Sequence, residues 1–196
     1  MNPIKTAVAV ALGIAFSGAV LAQTTESITQ RDVNQQQRIE QGLKSGQLTT
    51  REAAKLEKGE ARINQMESNA LRDGTLSPAE KARITRAQNE ESRAIERQKS
   101  DAQTGNPNSA SSQRMQADVQ RNVSQEQRIN QGVKSGALTN REAGRLEAGQ
   151  ARVDRKEARA GADGHVGKGE QAGIQAAENR QSGRIHREKH DAQTRR

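Results

Sequence analysis

Small and aliphatic residues recur along the chain at steps of three, four and seven, which is the spacing of one face of an α-helix. The clearest stripe is formed by Ala53, Leu56, Ile63, Met66 and Ala70. Most other positions hold Arg, Lys, Glu, Gln or Ala, which are strong helix formers. The pattern therefore predicts an all-α fold. Because only 31% of the residues are hydrophobic, we expect the helices to meet along thin seams rather than around a bulky core.

Two long segments of the chain are related by an internal repeat. Residues 36–104 align with residues 126–194 without a gap, and about half of the aligned positions are identical. A tandem duplication explains such a match. We predict two homologous three-helix modules, residues 28–104 and 114–194, joined by a flexible linker, residues 105–113, that is rich in Gly, Pro, Asn and Ser.

Several predicted helices begin with a capping box, in which Ser or Thr is followed three residues later by Glu. The box occurs as TTRE at 49–52, as SPAE at 77–80 and as TNRE at 139–142. The corresponding GKGE at 167–170 has Gly167 at the cap position and so lacks the hydroxyl. We expect that helix start to be the weakest of the four.

The first 22 residues are typical of a cleaved signal peptide. Lys5 precedes an apolar run over residues 7–16, and small residues stand one and three positions before a cut after Ala22. A retained N-terminal helix is the alternative. Cleavage predicts a periplasmic or secreted mature chain, and the remaining sequence predicts no membrane span.

Four similar loops connect the predicted helices. Residues 41–52, 69–80, 131–142 and 159–170 each have Gly at position six, Leu or Val at position eight and Glu at position twelve. This spacing resembles the calcium loop of an EF-hand, so each module resembles a degenerate pair of EF-hand helix–loop–helix units. The chain is also similar to uncharacterised secreted proteins of Gram-negative bacteria that carry this Gly–x–Leu–Thr–x–x–Glu repeat, a resemblance that implies no activity.

Position three of all four loops is Leu, Val or Gly, which supplies no side-chain oxygen. Only the loop at 69–80 keeps a plausible set of oxygen ligands at its other positions. There the resemblance implies a calcium site, with the Thr75 carbonyl oxygen as one ligand. The candidate ligands are Asn69, Asp73, Thr75, Ser77 and Glu80. The alternative is structural, since Gly can form the turn while Glu caps the next helix. The sequence thus predicts no obligatory cofactor, with calcium as the alternative.

A second candidate metal site lies near the C-terminus. His186 and His190 stand four residues apart on a predicted helix, so they face the same way. With Glu188 or Asp191 they have the donor atoms that a transition metal prefers. Solvated surface histidines are the alternative reading.

The balance of charge narrows the class of function. The chain has 32 Lys and Arg residues against 24 Asp and Glu residues, for a formal net charge of +8, and most of this excess lies in the second predicted module. It has no Cys, and its single aromatic residue, Phe16, leaves with the signal peptide. A stacking platform for bases or sugars is therefore absent from the mature sequence, and no catalytic set of residues can be assembled.

These features predict a non-enzymatic binding or interaction module that uses basic amphipathic helices. The predicted partner is an anionic envelope polymer or a protein, with nucleic acid bound only non-specifically. A divalent-cation-binding protein of the periplasm is the alternative function. The basic residues could instead belong to an ordinary solvated helix face, since acidic residues interleaved along the helices could pair with them. The sequence leaves the oligomeric state open.

Overall fold

The all-α prediction is confirmed. A computed structural model describes residues 24–191, which form six helices and no strand. The helices are α1 (Thr25–Ser45), α2 (Thr50–Ala70), α3 (Pro78–Ser100), α4 (Ala110–Ser135), α5 (Asn140–Ala160) and α6 (Lys168–Lys189). The predicted signal peptide, residues 1–22, lies outside the described residues, as do residues 192–194 of the second predicted module. No helix within residues 24–191 has the length and apolarity needed to cross a membrane.

The predicted capping boxes are present at the starts of α2, α3 and α5. At α2 the Thr49 hydroxyl accepts the Glu52 N–H at 3.2 Å, and Glu52 Oε2 accepts the Thr49 N–H at 2.9 Å. Gly167 makes only the second of these contacts, from its N–H to the Glu170 carboxylate at 2.8 Å. The loop before each of these four starts contains a glycine with positive φ, namely Gly46, Gly74, Gly136 and Gly164, and Gly46 and Gly136 also cap the ends of α1 and α4.

Two glycines of the loop before α6 should respond in opposite ways to substitution. Gly167 has φ −77°, which any residue adopts, so Gly167→Ser supplies the missing cap and should stabilise the fold by about 0.5–1 kcal/mol. Gly164 has φ 90°, so Gly164→Ala should cost about 1 kcal/mol. Urea unfolding followed by circular dichroism measures both. A neutral Gly164→Ala variant would contradict this geometry.

The two halves of the chain pack closely against each other. The most extensive helix contacts join α2 to α5 and α1 to α4. Gly144 near the start of α5 meets Leu71 just after α2, and Gly161 just after α5 meets Ala54 near the start of α2, so this pair is antiparallel. Helix α3 lies across α1 and α2, and α6 lies across α4 and α5. Helix α4 begins inside the segment predicted as linker, because the Ser109 hydroxyl caps it by accepting the Ser112 N–H.

Apolar side chains are concentrated towards the two ends of the α2–α5 pair. One cluster joins the α1–α2 turn to the start of α4 and the end of α5, and it contains Ile39, Leu43, Leu48, Met115 and Val166 among others. The opposite end holds a cluster that includes Leu71, Ile129, Val133, Leu138 and Ile185. A smaller cluster contains Ile28, Ala70 and Ile84. The apolar core is therefore thin, as expected, and polar residues fill the space between its parts.

Two helical glycines let α3 and α6 approach this polar interior. A Cβ added at Gly59 would collide with the Glu91 carboxylate of α3, and a Cβ added at Gly149 would collide with the Gln181 amide of α6. The Gln181 amide donates to the Leu146 carbonyl oxygen at 2.9 Å. Glycine at these positions thus makes room for a polar side chain from the outer helix.

Candidate functional site

The acidic residues of α2 and α5 all point into the bundle. Each of them is at most 1% exposed. They are Glu52, Glu57, Glu60 and Glu67 on α2, and Glu142, Glu147, Asp154 and Glu157 on α5. Glu52 and Glu142 belong to the capping boxes. The other six lie between the apolar ends of the bundle, so the centre of the α2–α5 pair is acidic.

Side-chain amides hold four of these carboxylates, three of them through residues of α1, α2 and α4. Gln36 donates to Glu57 Oε2 at 3.0 Å, and Asn122 donates to Glu157 Oε2 at 2.7 Å. Asn64 on α2 donates across the interface to Asp154 Oδ2 on α5 at 2.9 Å. Since an amide N–H bond stabilises a buried carboxylate more weakly than a cation does, these contacts only partly offset the cost of burial.

A further set of buried acids surrounds this centre. Gln88 of α3 donates to Asp32 Oδ1 at 2.9 Å and to Glu67 Oε1 at 3.2 Å. Glu178 of α6 is the one buried acid in residues 24–191 with an ion pair, to Arg121 at 3.1 Å. Asp118 and Glu126 of α4 are also buried. The interior of the described residues therefore holds many carboxyl groups, of which one forms an ion pair with a basic side chain.

Burial raises the pKa of these carboxyl groups. The pKa rises to about 7 for Asp32, Glu57, Glu91 and Asp118, and to about 8 for Glu178, with desolvation as the largest cause in each case. Six others have a pKa well above the usual value because of burial first and neighbouring carboxylates second. They are Glu60, Glu67, Glu126, Glu147, Asp154 and Glu157. Burial therefore favours the protonated form of these carboxyl groups.

The outer side of the same two helices is basic. We call this surface the basic face; ten cationic side chains form it, all exposed except the half-buried Arg155. They are Arg51, Lys55, Lys58, Arg62, Arg141, Arg145, Arg152, Arg155, Lys156 and Arg159. Within residues 24–191 none of them forms an ion pair. The alternative in which interleaved acids neutralise these helices therefore fails on α2 and α5, because their acids point inward.

An open groove runs between α2 and α5 on this face. We call it the basic groove; its volume is about 670 Å³. Its cations are Arg51, Lys55, Lys58, Arg62, Arg155 and Arg159, and its floor is formed by Ala54, Ala61, Ala158 and Ala162. A second groove of about 370 Å³ lies further along and carries Arg72, Arg141, Arg145, Arg152 and Arg184. The pKa of Arg152 is lowered by burial and then by the charges of Arg184 and Arg155, which shows how closely these cations are crowded.

The predicted calcium loop lies on the surface, and its oxygens make local hydrogen bonds. Asp73 Oδ1 accepts the Thr75 N–H at 2.8 Å, and Glu80 Oε2 accepts the Ser77 N–H at 2.9 Å. Asn69 Oδ1 accepts from Arg72 at 2.7 Å. The pKa values of Asp73 and Glu80 are lowered by these contacts with Thr75 and Ser77. Asn69 lies in the last turn of α2 and Glu80 in the first turn of α3, with Asp73, Thr75 and Ser77 in the loop between them, and calcium binding there stays a prediction.

The predicted histidine pair is brought together at the end of α6. The rings of His186 and His190 are 4.3 Å apart between centroids, and His190 Nδ1 lies 2.7 Å from the His186 carbonyl oxygen. Glu188 and Asp191 come close to the Glu142 carboxylate instead, with ligand oxygens within 4.8 Å of one another. The acidic residues that the sequence placed near the histidines thus meet a carboxylate of α5.

The buried acids were missed by the sequence analysis, although a signal for them exists. Glu57, Glu60, Asn64 and Glu67 follow one another at steps of three, four and three, the same spacing as the apolar stripe. Glu147, Gln150, Asp154 and Glu157 repeat that spacing ninety positions later. Acidic residues at interior helical positions in both copies indicate a polar centre.

Searches for similar proteins give no further indication of function. No protein-family model, no curated protein and no solved structure matches this chain. The function must therefore be argued from the geometry alone.

Proposed function

We propose that this protein is a non-enzymatic binding module whose basic face holds an anionic polymer of the cell envelope. One observation carries the proposal: on α2 and α5 every acidic residue is buried, while every basic residue is exposed or half-buried. The two signs of charge are therefore separated across one pair of helices. Such a surface attracts polyanions by releasing their counterions.

The buried acids strengthen this attraction. A carboxyl group whose pKa is about 7 or higher carries little negative charge below that pH. The molecule is then more cationic than its formal net charge of +8. A polyanion approaching α2 and α5 meets ten cations, none of which forms an ion pair within residues 24–191.

The shape of the basic groove favours phosphate groups attached to an apolar moiety. Its floor consists of alanine methyl groups, and cations stand along both α2 and α5. The lipid A portion of lipopolysaccharide combines acyl chains with phosphates in this way, so lipopolysaccharide is the ligand class we propose. Nucleic acid would bind through its phosphates only, without selection for sequence.

The proposal includes the cellular location and the origin of the two halves. We take the chain to be exported and cleaved after Ala22, which exposes the mature protein to envelope polymers. We also take its halves to be homologous modules that resemble degenerate EF-hand pairs. In this view the loops serve as turns and caps, and the helix faces provide the binding surface.

The proposal is tested by titrating fluorescein-labelled lipopolysaccharide with the mature chain and following anisotropy. Binding should weaken steeply as salt rises, by roughly 10-fold or more between 50 and 200 mM if several phosphates are contacted. A duplex DNA of random sequence serves as the comparison polyanion. Absent binding of lipopolysaccharide, or binding that salt does not change, would overturn the proposal.

A further inference from the structure

Three buried carboxylates meet at the centre of the α2–α5 pair. Glu57, Asp154 and Glu157 each offer one oxygen, and these three oxygens lie within 4.8 Å of one another. All three residues are fully buried. Within residues 24–191 no Lys or Arg forms an ion pair with them. This group is separate from the basic face, because it lies on the opposite side of the same helices.

The three carboxylates are oriented but only half satisfied. Each has one oxygen fixed by an amide, from Gln36, Asn64 or Asn122. Within residues 24–191 no amide, alcohol or basic side chain and no backbone N–H reaches the other oxygen of Glu57, Asp154 or Glu157. Donors that hold one oxygen while leaving the other open resemble the outer shell that orients ligands around a metal ion.

A fourth carboxylate points independently to a ligand at this place. Glu60 follows Glu57 by one helical turn, is 1% exposed, and has no hydrogen-bond partner on either oxygen. Burial raises the pKa of Glu60, and the charges of Glu91, Asp32, Glu57 and Asp154 add to this effect. A buried carboxylate without any partner is strongly unfavourable unless a proton or a cation neutralises it.

The internal repeat places a second, different set of residues at the equivalent positions. Ninety positions away, Glu57, Asp154 and Glu157 correspond to Glu147, Asn64 and Glu67. Asn64 replaces a carboxylate there, and that second set is not among the groups of acids close enough to share an ion. Residues 24–191 therefore hold one fully buried centre of this kind and a built-in reference for it.

We propose that Glu57, Asp154 and Glu157 bind one divalent cation of the oxygen-liganded class, Ca²⁺ or Mn²⁺, while the buried Glu60 one helical turn away adds negative charge. Each of the three carboxylates has one oxygen free for the ion, and Ca²⁺ and Mn²⁺ both accept carboxylate oxygens. The group contains no Cys or His, so it does not suit soft metals. The ion would displace protons from the carboxyl groups, and affinity should therefore rise with pH.

The test uses Mn²⁺ and the mature chain, stripped of metal and held near pH 8. Electron paramagnetic resonance measures free Mn²⁺, whose six-line signal falls when the ion binds. We expect saturation at one Mn²⁺ per chain. A signal that protein in excess does not reduce would overturn the proposal.

Two isosteric variants assign the site. Loss of an outer-shell partner alone typically weakens a metal site by roughly 10- to 100-fold, so Asp154→Asn, which removes a ligand, should weaken Mn²⁺ binding at least that much. Glu147→Gln removes a buried carboxylate from the reference set and should leave Mn²⁺ affinity unchanged. Both variants should keep the helical circular dichroism signal. Equal affinity in Asp154→Asn and the unaltered chain, or equal loss in both variants, would contradict the assignment.

Discussion

With metal removed by a chelator, the protein should melt roughly 10 °C or more lower at pH 8 than at pH 5, a reversal of the common acid sensitivity of proteins. The cause is the group of buried carboxyls whose pKa lies at about 7 to 8, among them Asp32, Glu91 and Glu178. In the unfolded chain the same groups titrate near pH 4.

The direction follows from proton binding. Below about pH 4 these groups are protonated in both states, so their raised pKa does not affect stability. As pH rises from about 4 towards 7 or 8, the unfolded chain loses protons that the folded chain retains, and the free energy of unfolding falls. Each unit of raised pKa contributes about 1.4 kcal/mol to this loss. Several coupled groups of this kind make it large.

Adjacent acids on α3 provide a matched pair for this prediction. Glu91 is half-buried against Gly59, and its pKa is raised by burial to about 7. Its counterpart ninety positions on is Gln181, so Gln fits in this setting. Glu91→Gln should raise the melting temperature at pH 8 and leave it nearly unchanged below pH 5. The exposed neighbour Glu90→Gln should have no such effect. A melting temperature that rises from pH 5 to pH 8 in the unaltered chain would refute the prediction.

Removing three cations from the basic groove should weaken lipopolysaccharide binding by roughly 100-fold or more near 0.1 M salt, if each cation neutralises one phosphate. The variant is Lys55→Gln, Lys58→Gln and Arg62→Gln together. All three residues are exposed and make no ion pair with any residue of the described range 24–191, so the fold should tolerate the change. The slope of log affinity against log salt should become shallower by about three.

A variant of equal charge provides the control. Arg83→Gln, Arg86→Gln and Arg93→Gln also remove three exposed cations, but from α3, which carries the exposed Glu90 and Glu96. We expect a much smaller loss of affinity there, because long-range attraction changes equally while the groove stays intact. Equal losses in the two triple variants would show that net charge alone governs binding.

The local features of the helices could be predicted from the sequence. Thr49 and Glu52 form their capping box because it needs only residues of one turn. Ala53, Leu56 and Ile63 are buried, as their helical spacing indicated. The start of α4 differs from the prediction because Ser109 can cap a helix as well as lie in a linker.

The acidic interior could not be predicted, because it depends on contacts between distant segments. Glutamate is usually a surface residue, so the sequence alone does not place Glu57 inside. Its carboxylate is accommodated in the interior because the Gln36 amide of α1 donates a hydrogen bond to it. Asp154 depends in the same way on Asn64, ninety residues away. Periodicity shows which face a residue occupies but not which face is buried when both are polar. The small residues Ala54 and Gly161, which bring α2 and α5 together, are equally uninformative by themselves.

The central claim is that the acids of α2 and α5 lie inside while their cations lie outside. Side-chain carboxyl ¹³C shifts of the mature chain, followed from about pH 3 to about pH 9 in chelator, test this most directly. The structure predicts that a distinct set of Asp and Glu carboxyls, including Asp32, Glu57 and Glu178, titrates near pH 7 to 8 or higher. Titration of every Asp and Glu carboxyl near its ordinary value, around pH 4, would contradict the buried acidic centre.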